Sequence, residues 1–347
     1  MAAFLRMASV AGALAAGALV VAAAVPAVAD DGGFTLQDPR ITESSGLAAS
    51  RAHPGVYWTH NDQDGPRVFA VDGRTGRTVA TVTLRGIGTP RDMEAISVGP
   101  DGAVYVGDIG DNLNGSWDHV WIYRFPEPKE LGDRTVDATQ YTVRYADGAR
   151  DAEALMVHPK TGRVYIASKN EDGGGLYEGP ARLSAGGANV FRRVGEVPWV
   201  TDGAFSPDGT ELVLRSYFSA RAYAWEGGGR LGEERRVSAP LQRQSESVTY
   251  TLDGKALMIG SEGEGSEVVR VPVERGAGAG ADAGQGRTQA PGSPSGNGGG
   301  GSGGGSADGS NGSGGSSGEG GNATLGVLVL GAVAVGAFWL RRRRPRG

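Results

Sequence analysis

The chain has 347 residues, no cysteine and a formal net charge of −5 at neutral pH. The lack of cysteine excludes disulfide-dependent folds and thiolate metal sites, and the acidic balance argues against a nucleic-acid-binding protein. Between the terminal segments lie about 246 residues, which are enough to bury a core without cross-links.

Residues 1–29 have the pattern of a secretory signal peptide. Arg6 precedes a long run of Ala, Val, Leu and Gly, and Ala27 and Ala29 place small residues ahead of Asp30. This order of charge, apolar run and small-residue cleavage site is typical of exported proteins. We therefore predict cleavage after Ala29 and export of the domain that follows.

Residues 30–275 contain five copies of one pattern. Each copy has an acidic residue, an apolar strand, a tight turn such as PDG, PKTG or LDG, and a second strand rich in Val, Tyr, Leu and Ile. Further apolar alternation follows each pair, so that every copy predicts four short strands. The acidic residues that open the copies are Glu43, Glu94, Glu153, Asp202 and Glu246. Self-similar four-stranded units predict an all-β fold, a β-propeller.

The number of blades depends on how the ring closes. After Glu246 only about 29 residues remain, too few for four strands, but the segment FTLQDPRI (34–41) can supply the missing outer strand. This arrangement predicts five blades, with the first and last segments sharing one blade. Six blades is the alternative if the segment 127–138 contains further strands. A sandwich or an open β-array fits the regular repeats less well.

The repeat places polar residues at one end of the ring. In each copy the acid precedes the first strand and a polar cluster follows the second, and antiparallel pairing brings both to the same edge. If the first strands line a central channel, their acids form a ring around it. The predicted metal ligands are Glu43, Glu94, Glu153, Asp202, Glu246, Asp62, Asp108 and Asp111.

Converging carboxylates cannot all remain ionised and unpaired, and a hard cation resolves the conflict. Ca²⁺ is the predicted cofactor, since it takes six to eight oxygen ligands. The alternative is that each acid caps backbone N–H groups or pairs with a neighbouring arginine. Lys169 and Arg215 either hold an anionic ligand or neutralise nearby carboxylates. His60 is a metal ligand, a general base or a residue that only forms hydrogen bonds. The candidate catalytic residues are Glu94, Glu153, His60, Lys169 and Arg215.

The C-terminal region predicts a membrane anchor. Residues 276–322 are rich in Gly and Ser and predict a flexible linker. Residues 323–340 form an uncharged apolar run long enough for one transmembrane helix, and the basic residues 341–347 predict a cytoplasmic tail. We therefore expect a monomeric single-pass membrane protein with its propeller outside the cell, where it meets a small anionic ligand or an envelope protein or glycan.

Four stretches carry a family resemblance: ESSGLAASRAHPGVYWTHND, RDMEAISVGPDGAVYVGDIGDN, DAEALMVHPKTGRVYIASKN and TDGAFSPDGTELVLRSY. In these the chain resembles secreted β-propeller proteins of high-GC bacteria, near the esterase-like-phytase and WD-like propeller families. The phytase-like resemblance implies a calcium-dependent phosphomonoesterase. The resemblance offers six residues of this chain for its carboxylate, lysine and arginine roles: Glu94, Glu153, Asp108, Asp111, Lys169 and Arg215. Two functions thus remain open, a cation-dependent binding module and a metal-dependent phosphoric ester hydrolase.

Overall fold

A computed structural model describes residues 32–113 and 115–274. In this part of the chain the regular structure consists of twenty-one β-strands and no helix, as predicted. Accordingly, no helix in these residues could span a membrane. The predicted signal peptide (1–29), linker (276–322), transmembrane helix (323–340) and tail (341–347) lie outside the described residues and stay predictions.

The first sheet is an antiparallel meander with one added strand at its outer edge. Its strands are, in sheet order, β2 (Ser44–Ala49), β3 (Val56–Asn61), β4 (Arg67–Asp72), β5 (Thr78–Arg85) and β9 (Arg134–Asp137). The last of these, β9, runs parallel to β5. The added strand belongs to the segment 127–138, which therefore extends an existing sheet and does not start a new one.

The second sheet has eight strands but consists of two four-stranded meanders. Their outer strands β10 and β14 pair in parallel, which joins the meanders edge to edge. One meander comprises β6 (Met93–Val98), β7 (Ala103–Asp108), β8 (Val120–Pro126) and β10 (Thr139–Tyr145). The other comprises β11 (Ala152–Val157), β12 (Val164–Ser168), β13 (Gly174–Glu178) and β14 (Asn189–Val197).

The last two sheets have four strands each. The third contains β15 (Asp202–Phe205), β16 (Glu211–Arg215), β17 (Ala220–Trp225) and β18 (Leu231–Val237). The fourth contains β19 (Ser247–Tyr250), β20 (Ala256–Gly260), β21 (Glu267–Pro272) and the N-terminal β1 (Phe34–Thr35). Phe34 pairs with Val268, so the N-terminal segment completes the last sheet, as predicted.

The first strands of the five meanders form a closed ring. β2 packs against β6, β6 against β11, β11 against β15, β15 against β19, and β19 returns to β2. This closure defines a β-propeller, in which each sheet buries both faces against its neighbours. The turns after the first strands use the expected glycines: Gly102 and Gly254 adopt φ values of 67° and 66°, which a side chain would strain.

The core is divided into five apolar clusters, one between each pair of neighbouring meanders. Between the first two meanders, for example, Trp58 packs edge to face on Phe125 with ring centroids 6.3 Å apart. The segment 127–138 reinforces this junction, because Glu127 accepts hydrogen bonds from Trp58 Nε1 at 2.7 Å and from Ser50 Oγ at 2.5 Å.

Candidate metal centre

One end of the ring gathers the polar residues. Strand registers set the start of each first strand opposite the end of each second strand, as in the pairs Met93 with Asp108 and Asp202 with Arg215. We call this end, where β2, β6, β11, β15 and β19 begin, the acidic face. The predicted shared edge is therefore present.

Three buried carboxylates converge on this face. Asp62, Asp92 and Glu94 each offer an oxygen, and these oxygens lie within 4.8 Å of one another. The three residues are only 1, 2 and 1% exposed. Asp62 follows β3 of the first sheet, whereas Asp92 and Glu94 lie at the start of β6. The cluster, which we call the carboxylate triad, thus joins two sheets.

Local backbone contacts position the triad. Asp62 N donates to Glu43 O at 3.1 Å, and Met93 N donates to Asp62 O at 2.9 Å, so the two segments are tied together. A Cβ on Gly110 would lie 2.6 Å from Asp92 Oδ2, closer than real side-chain contacts allow. A side chain at residue 110 would therefore force Asp92 and Glu94 to shift.

Three carboxylates at this spacing repel one another, and burial removes the water that would screen them. Oxygen ligands in a flexible arrangement suit a hard divalent cation. Backbone carbonyls, water or ligand oxygens would have to complete the shell, because three carboxylates supply fewer than the six to eight oxygens that Ca²⁺ takes. The arrangement can therefore bind a cation and leave coordination positions for another molecule.

The structure brings together only two of the eight predicted ligands, Asp62 and Glu94. It adds Asp92, which sequence reasoning missed. The repeats RDME and RDAE contained a signal for it, since Asp92 and Asp151 stand at the same place in two copies. In the residues 32–113 and 115–274, no other three acids or histidines approach this closely.

Asp108 and Asp111 organise backbone near the triad. Asp108 accepts hydrogen bonds from Asp92 N at 2.8 Å, from Arg91 N, and from the Tyr123 hydroxyl at 2.5 Å. Asp111 accepts from Ser116 Oγ at 2.6 Å and from backbone amides of its own loop. These contacts are the ones expected if an acid caps backbone N–H groups. Those of Asp108 orient the segment that carries Asp92, whereas those of Asp111 order its own loop.

Glu153 forms a buried ion pair. Its Oε1 lies 2.5 Å from Lys169 Nζ. Burial alone would lower the pKa of Lys169. The Glu153 carboxylate acts in the opposite direction, and Tyr217 and Glu246 add to its effect, so the pKa of Lys169 is raised. Lys169 is therefore charged and engaged by a protein carboxylate, which matches the neutralising role considered for it.

Asp202 connects three inner strands. Its carboxylate accepts hydrogen bonds from Gly203 N at 2.7 Å and from Val248 N at 2.8 Å, and the backbone amide of Leu47 also contributes. These amides belong to β15, β19 and β2. Burial raises the pKa of Asp202 despite these bonds. The residue therefore links three of the first strands of the ring.

The remaining candidates differ in their surroundings. Glu43 is half-buried and supports the triad through its backbone carbonyl. Glu246 is buried and acts electrostatically on Asp202, Arg215 and Lys169. His60 is fully buried, and burial lowers its pKa to about 4, so its imidazole is neutral at pH 7. Its Nε2 has no hydrogen-bond partner among the described residues.

Comparison with known proteins leaves the family open. No protein family and no curated protein matches the sequence. Among solved structures, the chain is similar to the PQQ-bound form of an aldose sugar dehydrogenase from Streptomyces coelicolor, with 12% identity, a TM-score of 0.41, and coverage of 70% of this chain and 98% of that one. It is also similar to a glucose-dehydrogenase-type oxidoreductase from Thermus thermophilus, with 16% identity, a TM-score of 0.40, and coverage of 66% and 83%.

A third similar structure is a 6-phosphogluconolactonase candidate from Bacteroides uniformis, with 14% identity, a TM-score of 0.37, and coverage of 68% and 69%. At these identities and scores the similarities assign no activity. The architecture rests on the strand pairing described above, and the resemblance to phytase-like propellers stays a prediction.

Proposed function

We propose that the protein is an exported, membrane-anchored propeller of five blades whose acidic face binds a divalent cation, Ca²⁺, together with a ligand or partner. The observation that carries this proposal is the convergence of Asp62, Asp92 and Glu94 from two sheets. Sequence features of the termini support export and anchoring, since a signal peptide and an apolar run with a basic tail agree on the orientation.

The way in which the chain fills its sheets supports the proposed count of five blades. There are five four-stranded meanders when the eight-stranded sheet is divided at its parallel junction, and five apolar clusters separate them. The strand within 127–138 joins the outer edge of the first sheet. It therefore adds no sixth blade.

The positions of Lys169 and Arg215 fit ligand binding without turnover better than they fit phosphate hydrolysis. A phosphoryl-transfer site presents cationic side chains to the substrate oxygens. Here Lys169 is paired with Glu153, and Arg215 is fully buried. Hydrolysis would require Lys169 to leave Glu153 and Arg215 to become exposed. The hydrolase is therefore the less favoured function, and the experiment below distinguishes it.

Calorimetric titration of Ca²⁺ into the detergent-solubilised full chain tests the proposal. We expect saturable binding and a melting temperature that falls on addition of a chelator, because a ligand at 100 times its Kd stabilises by about 2.7 kcal/mol. Asp92→Asn should lower the affinity at least tenfold. Asp253→Asn, at an exposed turn on the opposite end of the ring, is the matched control and should bind normally.

Three results would count against the proposal. No heat of binding and no chelator effect would remove the cation site. Equal affinity in Asp92→Asn and Asp253→Asn would place the cation elsewhere. Calcium-dependent release of phosphate from a generic phosphomonoester, abolished in Asp92→Asn, would replace the binding module with the hydrolase.

A further inference from the structure

Arg215 is a buried cation with unused hydrogen-bond donors. It ends β16, is 0% exposed, and donates through Nη2 to Pro240 O at 3.2 Å. Its Nε and Nη1 have no hydrogen-bond partner among the described residues. Burial lowers its pKa to about 10, so it is still charged at neutral pH. A buried guanidinium with two unpaired donors is unfavourable unless another group accepts them.

The loop that covers Arg215 contains one residue with a strained backbone. Residues 238–246 join β18 to β19, and the Pro240 carbonyl lies over the guanidinium. Gln242 Nε2 donates to Glu267 O at 3.0 Å, and Gln244 Nε2 donates to Glu262 Oε2 at 2.8 Å. The backbone carbonyls of Gln244 and Ser245 also accept hydrogen bonds, from Glu262 N at 2.8 Å and from Thr201 Oγ1 at 2.7 Å. Gln244 has φ of 50°, the only positive value for a residue other than glycine in the described chain. A residue with a side chain is strained in this region, and release of that strain lowers the free energy needed to open the loop.

Exposed apolar side chains lie on the two segments next to Arg215. Leu241, on the covering loop, is 80% exposed, and Phe218, in the turn after Arg215, is 69% exposed. Tyr217 lies between Phe218 and Trp199, with ring centroids at 6.4 and 5.2 Å. Exposed aromatic rings beside a buried charge form a surface that suits a ligand with an apolar part and an anionic end.

We propose that Arg215 binds the carboxylate of a small ligand whose attached group is apolar or aromatic and packs on Phe218 and Leu241. A planar carboxylate accepts two parallel hydrogen bonds from one edge of a guanidinium, either from Nε and Nη2 or from Nη1 and Nη2. The Pro240 carbonyl accepts one of the two N–H groups of Nη2, so the other can donate together with an unpaired nitrogen on its own edge. The carboxylates of Glu246 and Glu153 are at the same face, so they repel a phosphate dianion more strongly than a monoanion. This site needs no cation, and it therefore goes beyond the function proposed above.

Titration of the full chain in the presence of a chelator tests this site independently of the carboxylate triad. Benzoate is the probe, with acetate and inorganic phosphate as comparisons. We expect benzoate to bind, acetate at least tenfold more weakly, and phosphate weakest. Hydrogen exchange of residues 238–246 should change when benzoate is added, because the loop must move to admit it.

Variants locate the site. Arg215→Gln should reduce benzoate affinity at least tenfold, whereas Arg221→Gln, an exposed arginine paired with Glu234 on the neighbouring strand, is the matched control and should bind normally. Arg215→Lys retains the charge but cannot donate a parallel pair, so it should bind weakly. Phe218→Ala should weaken benzoate and leave acetate unchanged.

The outcomes separate the possibilities. Absence of benzoate binding to the unmodified chain, or equal binding by Arg215→Gln and Arg221→Gln, would overturn the proposal. If Arg215→Gln does not fold, as judged by circular dichroism, then Arg215→Lys and Phe218→Ala decide. Unchanged benzoate affinity in both of these variants would also overturn it.

Discussion

Removal of the Lys169 ammonium should destabilise the propeller strongly, because it leaves a buried carboxylate without its counter-ion. The side chains of Lys169 and Glu153 are 16 and 3% exposed, and their charged atoms are 2.5 Å apart. Breaking a buried pair by removing one partner costs about 3–5 kcal/mol. For a domain of this size about 1 kcal/mol corresponds to roughly 2–4 °C. Lys169→Met should therefore lower the melting temperature by roughly 6–20 °C.

A double-mutant cycle tests the cause. Lys169→Met with Glu153→Gln removes both charges, so the double variant should be more stable than Lys169→Met alone. The single variant should also depend on pH. Burial raises the pKa of Glu153 above its unfolded value although Lys169 lowers it, and loss of the ammonium removes that opposing effect. The folded chain therefore binds the extra proton, and stability falls as the pH rises from the unfolded pKa toward the folded one.

Thermal unfolding of the four chains at pH 5 and pH 7 is the assay. The loss in Lys169→Met should be larger at pH 7 than at pH 5. A loss under about 1 kcal/mol, or a double variant less stable than the single one, would refute the reasoning, because Glu153 would then tolerate burial without its partner.

Two further predictions concern the triad and the sheet junction. Gly110→Ala places a methyl group 2.6 Å from Asp92 Oδ2 and should reduce Ca²⁺ affinity at least tenfold by calorimetry. The control is Gly88→Ala, whose methyl group approaches no atom closer than 3.6 Å and which should bind Ca²⁺ normally. Equal affinities of the two variants would show that Gly110 does not limit the site. Glu127→Ala leaves donors such as Trp58 Nε1 and Ser50 Oγ unsatisfied and should lower stability by about 3 kcal/mol in urea unfolding. A change below about 0.5 kcal/mol would mean that water replaces the carboxylate.

The repeat pattern predicted the fold because each copy carries its own turn and strand signals. The turns with Gly102 and Gly254 and the alternation of the first and second strands are local, so a single sequence contains them. The closing strand was also predictable, since the last copy visibly lacked one. The position of the strand Arg134–Asp137 was not, because its partner β5 lies about fifty residues earlier.

The site was predicted less well, for a physical reason. The repeat shows which end of the ring each acid occupies. It does not show whether that acid accepts hydrogen bonds from backbone amides or forms an ion pair with a lysine. Asp202 accepts amide donors from three strands, and Glu153 pairs with Lys169, so neither joins Glu94 in one cluster. The partner of each acid depends on contacts between different copies of the repeat. The sequence of one copy does not specify these contacts.

Anomalous diffraction from crystals grown with Ca²⁺ tests the central proposal most directly. The account predicts one peak between the carboxylates of Asp62, Asp92 and Glu94, at about 2.3–2.6 Å from their oxygens, and its disappearance in Asp92→Asn. Three carboxylates without density between them at saturating Ca²⁺, or a peak elsewhere on the ring, would contradict it.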